Sequence, residues 1–169
     1  MVANLTIALD ACVREASERG YTSVVLTGSM DGEASEAGRL FASVLADTSV
    51  GKTSFGGRTC LLAGGETTVT VRGRGTGGRN TEAALAAAIR LSGAVGVAVG
   101  FLATDGDDGT TGVAGAIVDG ATVGVASRAA AKQALADNDS FTFLRGVGAD
   151  VTTGPTGTNV TDLVIGLVE

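Results

Sequence analysis

Gly64-Gly-Glu-Thr-Thr-Val-Thr-Val-Arg-Gly-Arg-Gly-Thr-Gly-Gly-Arg-Asn-Thr-Glu82 passes through three kinds of composition in a short span. Thr67 to Arg72 alternates polar and apolar residues, as a strand does. Gly73 to Gly78 is too rich in glycine for anything but a loop, and Arg79 to Leu91 has the composition of a helix. A strand would thus run through a glycine loop into a helix N-terminus. There the first N–H groups of the helix lack partners and the macrodipole is positive, so an anion is favoured. Arg79, just past the loop, adds a fixed charge with fork geometry. The stretch reads as a cradle for a carboxylate or a phosphate.

Upstream, Leu5, Leu9, Cys12, Val13 and Ala16 fall at helical spacing. With Asn4 as N-cap and Gly20 as stop, they predict an amphipathic helix over 5–19. Ser23 to Thr27 reads as a buried strand, 32–47 as a second helix, 48–57 as loop and 58–63 as a short strand. Downstream, 95–103 is an apolar strand ending in Thr104-Asp105-Gly106-Asp107-Asp108-Gly109, and 114–118 is another. Helices are predicted over 125–136 and from Asn138 or Asp139 through Leu144. A Gly/Thr loop follows at 152–159, then a closing strand at 163–168. The early α-β-α order suggests parallel pairing, whereas the alternation of 67–72 suggests a strand with one solvated face. The expected fold class is α/β: a single domain, with a mixed β-sheet flanked by helices.

Composition narrows the functions. A net charge of −6, no Trp, one Tyr and only Lys52 and Lys132 as lysines leave no basic, aromatic surface for nucleic acid. The absence of histidine removes histidine triads and HExxH zinc sites, so acid/base work falls to Asp, Glu, Lys or water. The longest apolar run, 91–103, is too short and glycine-rich for a membrane span, and the N-terminal residues show no basic region ahead of an apolar one; a cytoplasmic protein is expected. Cys12 and Cys60 stand in no metal-like spacing and read as small buried hydrophobes.

Four motifs remain. Residues 46–53, ADTSVGKT, satisfy a loose P-loop pattern but leave a helix instead of a strand, and run into Ser54-Phe55-Gly56-Gly57, which cannot start a helix. Gly73, Gly75 and Gly78 match G-x-G-x-x-G in a strand-loop-helix context, although the preceding strand alternates and Asp105 lies further on than a dinucleotide fold requires. Asp105, Asp107 and Asp108 form an acidic turn at a strand end, where open α/β sheets place their sites. Gly109 and Ala116 occupy ligand positions of an EF-hand, so magnesium suits the turn better than calcium. The turn Gly154 to Asn159 offers hydroxyls and amides that could complete an anion site.

Taken together, GGETTVTVRGRGTGGRN at 64–80, ATDGDDGTTGVAGAIVDG at 103–120, NDS at 138–140 and TGPTGTNVTDL at 153–163 resemble the MOFRL domain. MOFRL is the C-terminal domain of glycerate 2-kinases, often labelled hydroxypyruvate reductase. The resemblance implies a two-domain enzyme that moves the ATP γ-phosphate to D-glycerate, or a related hydroxy acid, with Mg2+. It implies Arg79 and Asp105 as catalytic residues, with Glu66, Gly77, Gly78, Asn80, Thr104, Thr156, Thr158 and Asn159 binding substrate and Asp105 and Asp108 the metal. The chain departs from the family pattern at Thr81 and at Thr110, Thr111 and Gly112. No counterpart of the larger N-terminal kinase domain is recognisable in it, and Lys52 and Lys132 stand in unrelated surroundings. The chain alone is therefore expected to be inactive, either as a fragment or excised domain of a longer kinase or as a module that works with a separate N-terminal kinase domain. The alternatives are a stand-alone, non-catalytic interaction module and a nicotinamide-dependent hydroxypyruvate reductase. A cation in the first turn of a helix is unfavourable until an anion binds, so Arg79→Ala is expected to leave the domain as stable or slightly more so.

Overall fold

In the computed structural model, which describes residues 4–169, Asn4 caps α1 (Leu5–Glu18) by accepting the Ile7 N–H at its Oδ1, 2.9 Å away. In chain order there follow β1 (Thr22–Met30), α2 (Ala34–Ser49), β2 (Thr59–Gly65), α3 (Arg79–Leu91), β3 (Val97–Ala103) and β4 (Gly115–Asp119). They are completed by α4 (Arg128–Ala136), α5 (Ser140–Gly146), β5 (Asp150–Val151) and β6 (Asp162–Val168). The sheet has six strands in the order β1-β2-β6-β3-β4-β5. Only β1 and β2 are parallel; every other pair is antiparallel. The sheet is mixed, with helices on both faces, as expected.

Alternation along the strands sorts the core into two layers. On one face Leu9 and Ala16 of α1 meet Cys60 and Leu62, with Leu163, Ile165 and Leu167 beside them. On the other, Leu61, Val99, Phe101 and Val164 pack under α2 and α3, where Phe41 and Phe101 meet edge-to-face with centroids 6.1 Å apart. The alanines of α3 let α2 come close. A Cβ built on Gly38 of α2 would lie 2.1 Å from the Ala83 carbonyl oxygen, so only glycine fits there. Both cysteines are free thiols, Cys12 half-buried on α1 and Cys60 buried on β2 beneath it, and burial raises the pKa of each. The P-loop-like segment begins within the last turns of α2 and opens no helix. No described helix is long and apolar enough to cross a membrane.

One predicted element is absent. Thr67 to Arg72 is not a strand, because its backbone groups are taken by loops and side chains and not by a sheet neighbour. Thr68 exchanges hydrogen bonds with the turn before α2: its N–H donates to the Gly32 carbonyl and its carbonyl accepts the Ala34 N–H, both at 2.8 Å. Thr70 N–H donates to Glu33, and Arg72 N–H to Asn138. Val71 is 75% exposed, so the alternation records the wrapping of a surface strap and not a sheet face. The two-residue β5 was not visible in the sequence.

Candidate functional site

The register of the sheet brings the site together. Asp162, the first residue of β6, lies between Gly65 at the end of β2 and Ala103 at the end of β3. Glu66, Asp162 and Thr104-Asp105 therefore occur side by side at one end of the sheet, and the first turn of α3 brings Arg79 to the same place.

Arg79 is held by a carboxylate of its own chain. Its Nε and Nη2 donate to Asp162 Oδ2 and Oδ1 at 2.5 and 2.9 Å, a bidentate pair with an acid whose side chain is only 2% exposed. Nη1 lies 3.6 Å from Glu66 Oε1, and Glu66 is exposed. The hydrogen bond to Asp162 raises the Arg79 pKa above its ordinary value despite partial burial, so the guanidinium remains charged. Asp162 went unrecognised in the sequence. A lone Asp at the start of a strand carries no signal of its own, and only the register shows what it faces.

The α3 N-terminus is also occupied from within. Asp108 is fully buried, and four donors reach it: Asn80 N–H and Nδ2 at Oδ1 (2.9 and 3.3 Å), and Thr81 N–H and Oγ1 at Oδ2 (2.8 and 2.9 Å). Burial pushes the Asp108 carboxyl pKa up, while these hydrogen bonds pull it back. The expected anion cradle exists, but its anion is this chain's Asp108. Asp108 is thus a poor metal ligand, and Asn80, 3% exposed and turned to Asp108, is removed from a substrate's reach. No group of three or more metal-ligating side chains occurs among the described residues.

The glycine loop has a packing role. A Cβ on Gly73 or Gly75 would fall 2.1 Å from Asp137 O or 2.3 Å from Asp139 Cβ. On Gly77 or Gly78 it would meet Ser140 Oγ at 2.3 Å or the Asp108 carbonyl oxygen at 2.3 Å. Asn138 Oδ1 accepts the Arg72 and Gly73 N–H groups at 2.7 and 2.9 Å, and Asp139 Oδ1 accepts the Thr76 N–H at 2.8 Å. The NDS block therefore clamps the loop. Gly77 and Gly78 lie against protein, and because β2 ends at Gly65 and a non-strand strap leads into Gly73, the loop lacks the dinucleotide-binding context.

The remaining candidates form one knot. Thr104 Oγ1 donates to the Thr161 carbonyl at 2.6 Å and accepts the Val160 N–H at 2.9 Å. Thr156 Oγ1 donates to the Thr104 carbonyl at 2.6 Å, and the Thr158 N–H reaches Thr156 Oγ1. Asp105 Oδ2 accepts Asn159 Nδ2 at 3.0 Å and its Oδ1 accepts the Asp107 N–H at 3.1 Å. Thr161, just before Asp162, has φ +72° and a buried Oγ1 without a partner. A β-branched residue in that conformation is strained and is held there by its surroundings. Glu66, Arg79, Thr104, Asp105, Thr156, Thr158 and Asn159 thus share the end of the sheet, whereas Gly77, Gly78, Asn80 and Asp108 form its support.

These features define an α/β domain whose sheet end carries an arginine anchored on a buried aspartate and ringed by a Thr/Asn/Asp knot. The model of the MOFRL family matches residues 59–162, and the chain belongs to that family. A D-glycerate 2-kinase of Thermotoga maritima is 43% identical over 170 residues, which cover 99% of this chain and 41% of the relative. A glycerate 2-kinase of Pyrococcus horikoshii is 37% identical over 171 residues, covering 99% and 39%. Relatives in Agrobacterium vitis carry hydroxypyruvate reductase names. The crystal structure of a Thermotoga maritima glycerate kinase matches with a TM-score of 0.94 at 44% identity, over 99% of this chain and 41% of that one. The chain thus spans about two fifths of the length of these relatives.

Proposed function

We propose that this chain is the substrate-holding part of a glycerate 2-kinase, an enzyme that transfers the γ-phosphoryl group of ATP to a hydroxyl of D-glycerate. The observation that carries the reading is the bidentate Arg79–Asp162 pair. It fixes one edge of the guanidinium and leaves Nη1 directed toward the exposed Glu66, where a substrate carboxylate can displace a weak surface contact. In this reading Arg79 binds the carboxylate of glycerate, and Glu66 and the Thr104 region accept its hydroxyl groups. Asp105, whose oxygens each accept one hydrogen bond from the protein, faces the reacting hydroxyl and accepts its proton as the new O–P bond forms and the bond to ADP breaks.

Mg2+ takes one or two carboxylates together with substrate phosphates. Of the two candidates Asp105 fits this use and would hold the ion, whereas Asp108, saturated by α3, does not. When bound, the ion supplies charge neutralisation on the transferring phosphoryl group. In phosphoryl transfer, positioning and charge carry most of the rate. A chain spanning two fifths of its relatives is therefore expected to bind glycerate but not to turn it over alone, and to work with a separate kinase domain.

The test is a hybrid in which this chain replaces the matching part of the Thermotoga maritima enzyme. The hybrid should phosphorylate D-glycerate with ATP, and Arg79→Ala should lower kcat/KM by on the order of 10²-fold or more. A hybrid equally active with and without Arg79 would sink the assignment. Titration with NADH and NADPH separates the reductase reading, and saturable binding at roughly micromolar concentration would favour it.

A further inference from the structure

Away from the sheet end, a pocket of about 400 Å³ opens between α2, α3, α4 and the strap of residues 70–72. Its floor holds Glu82, 4% exposed, and Asn138, 9% exposed. Asn138 Nδ2 donates to Glu82 Oε2 at 3.0 Å. Among the described residues, Glu82 Oε1 accepts no hydrogen bond. Oε1 is not one of the fully buried unpartnered atoms, so it faces the pocket and offers an acceptor there to a bound donor.

The charges around the pocket are arranged by sign. Glu36 is paired with Arg39, and Glu33 is hydrogen-bonded by the Thr70 N–H and Oγ1. Arg72 and Lys132 also line the pocket, are exposed, and form no ion pair among the described residues. A negative floor therefore lies below a rim that carries two cations outside close ion pairs, with Arg72 near enough to Glu33 and Glu82 to favour their charged forms. Between them Ala86, Ile89 and Leu135 make an apolar wall. The carboxylates Glu33, Glu36 and Glu82 balance the cations Arg39, Arg72 and Lys132, so neither a simple anion nor a simple cation matches the whole.

We propose that this pocket is a binding site for a zwitterionic α-amino acid with a small apolar side chain: its ammonium on Glu82 Oε1, its carboxylate at Arg72 and Lys132, and its side chain on the Ala86–Ile89–Leu135 wall. Occupancy is felt at the glycine loop, because the Asn138 amide bound to Glu82 also accepts the Arg72 and Gly73 N–H groups through Oδ1. The site is independent of the glycerate reading and can stand or fall without it.

The experiment is a titration of the 15N-labelled chain with L-leucine, with isoamylamine and 4-methylvalerate as probes lacking the carboxylate and the ammonium. Saturable shifts of the Arg72, Gly73, Ala86 and Asn138 amides are expected with L-leucine, with each truncated probe weaker by roughly 10-fold or more. Glu82→Gln, which keeps the acceptor for Asn138, should weaken L-leucine by a similar factor without lowering the melting temperature. Shifts confined to other residues, equal binding of isoamylamine, or no saturation with L-leucine would each overturn the proposal, and these readouts on the unmutated chain do not depend on the variant folding.

Discussion

At Arg79 the structure reverses a sequence-based expectation. A cation in the first turn of α3 needs an anion, and Asp162, almost without solvent, supplies it permanently. Removing the arginine strands a buried carboxylate, so Arg79→Ala should destabilise the chain by about 2–4 kcal/mol, the range for breaking a largely buried pair with one partner partly exposed. Asp162→Asn in the same background should restore most of the loss in a melting curve without restoring glycerate binding; a melting temperature unchanged by Arg79→Ala would show the pair to be incidental. Two further acids set the pH dependence. Burial is the main cause that raises the carboxyl pKa values of Glu82 and Asp108 in the folded chain. A raised folded pKa means that the native state binds the proton more tightly. The resulting stability is present below the ordinary carboxylate range and is lost as pH rises through the raised values. The melting temperature should therefore fall as pH rises above the ordinary carboxylate range, and Glu82→Gln should flatten part of that fall. An equally steep profile in Glu82→Gln would remove Glu82 from the account.

Among the elements, those defined by periodicity and caps were legible: α1 from Asn4, α3 from Arg79 to Leu91, and the apolar strands β3 and β6. The strap at 67–72 was not, because alternation records exposure on two sides without saying what lies alongside. The site was legible in part for the same reason. Arg79, Glu66 and Asp105 announce themselves by charge in glycine-rich turns, but Asp108 reaches α3 across a loop and Asp162 depends on strand register. Helix contact gives a sharper test. Gly38→Ala places a methyl group in the Ala83 backbone and should force α2 from α3, costing about 1–3 kcal/mol. Gly124→Ala, in open space, should cost little; similar denaturation midpoints for the two would contradict the close approach.

For the whole molecule, the central position of β6 is decisive. It joins the β1-β2 pair to the β3-β4-β5 group and is hydrogen-bonded along both edges, with Val164 and Val168 buried. A chain ending at Thr161 should lack cooperative unfolding and show poorly dispersed amide resonances; a native-like spectrum from it would show that the two groups close without β6. The same placement bears on synthesis. On a ribosome, β2 and β3 emerge long before the strand that separates them, and until residues 162–168 clear the exit tunnel each presents an open apolar edge. Mispairing of β2 with β3, or of either with a neighbouring nascent chain, is the hazard of that interval. Slowed translation within the final segment should therefore raise the demand of this protein for chaperones far more than a pause placed after α1.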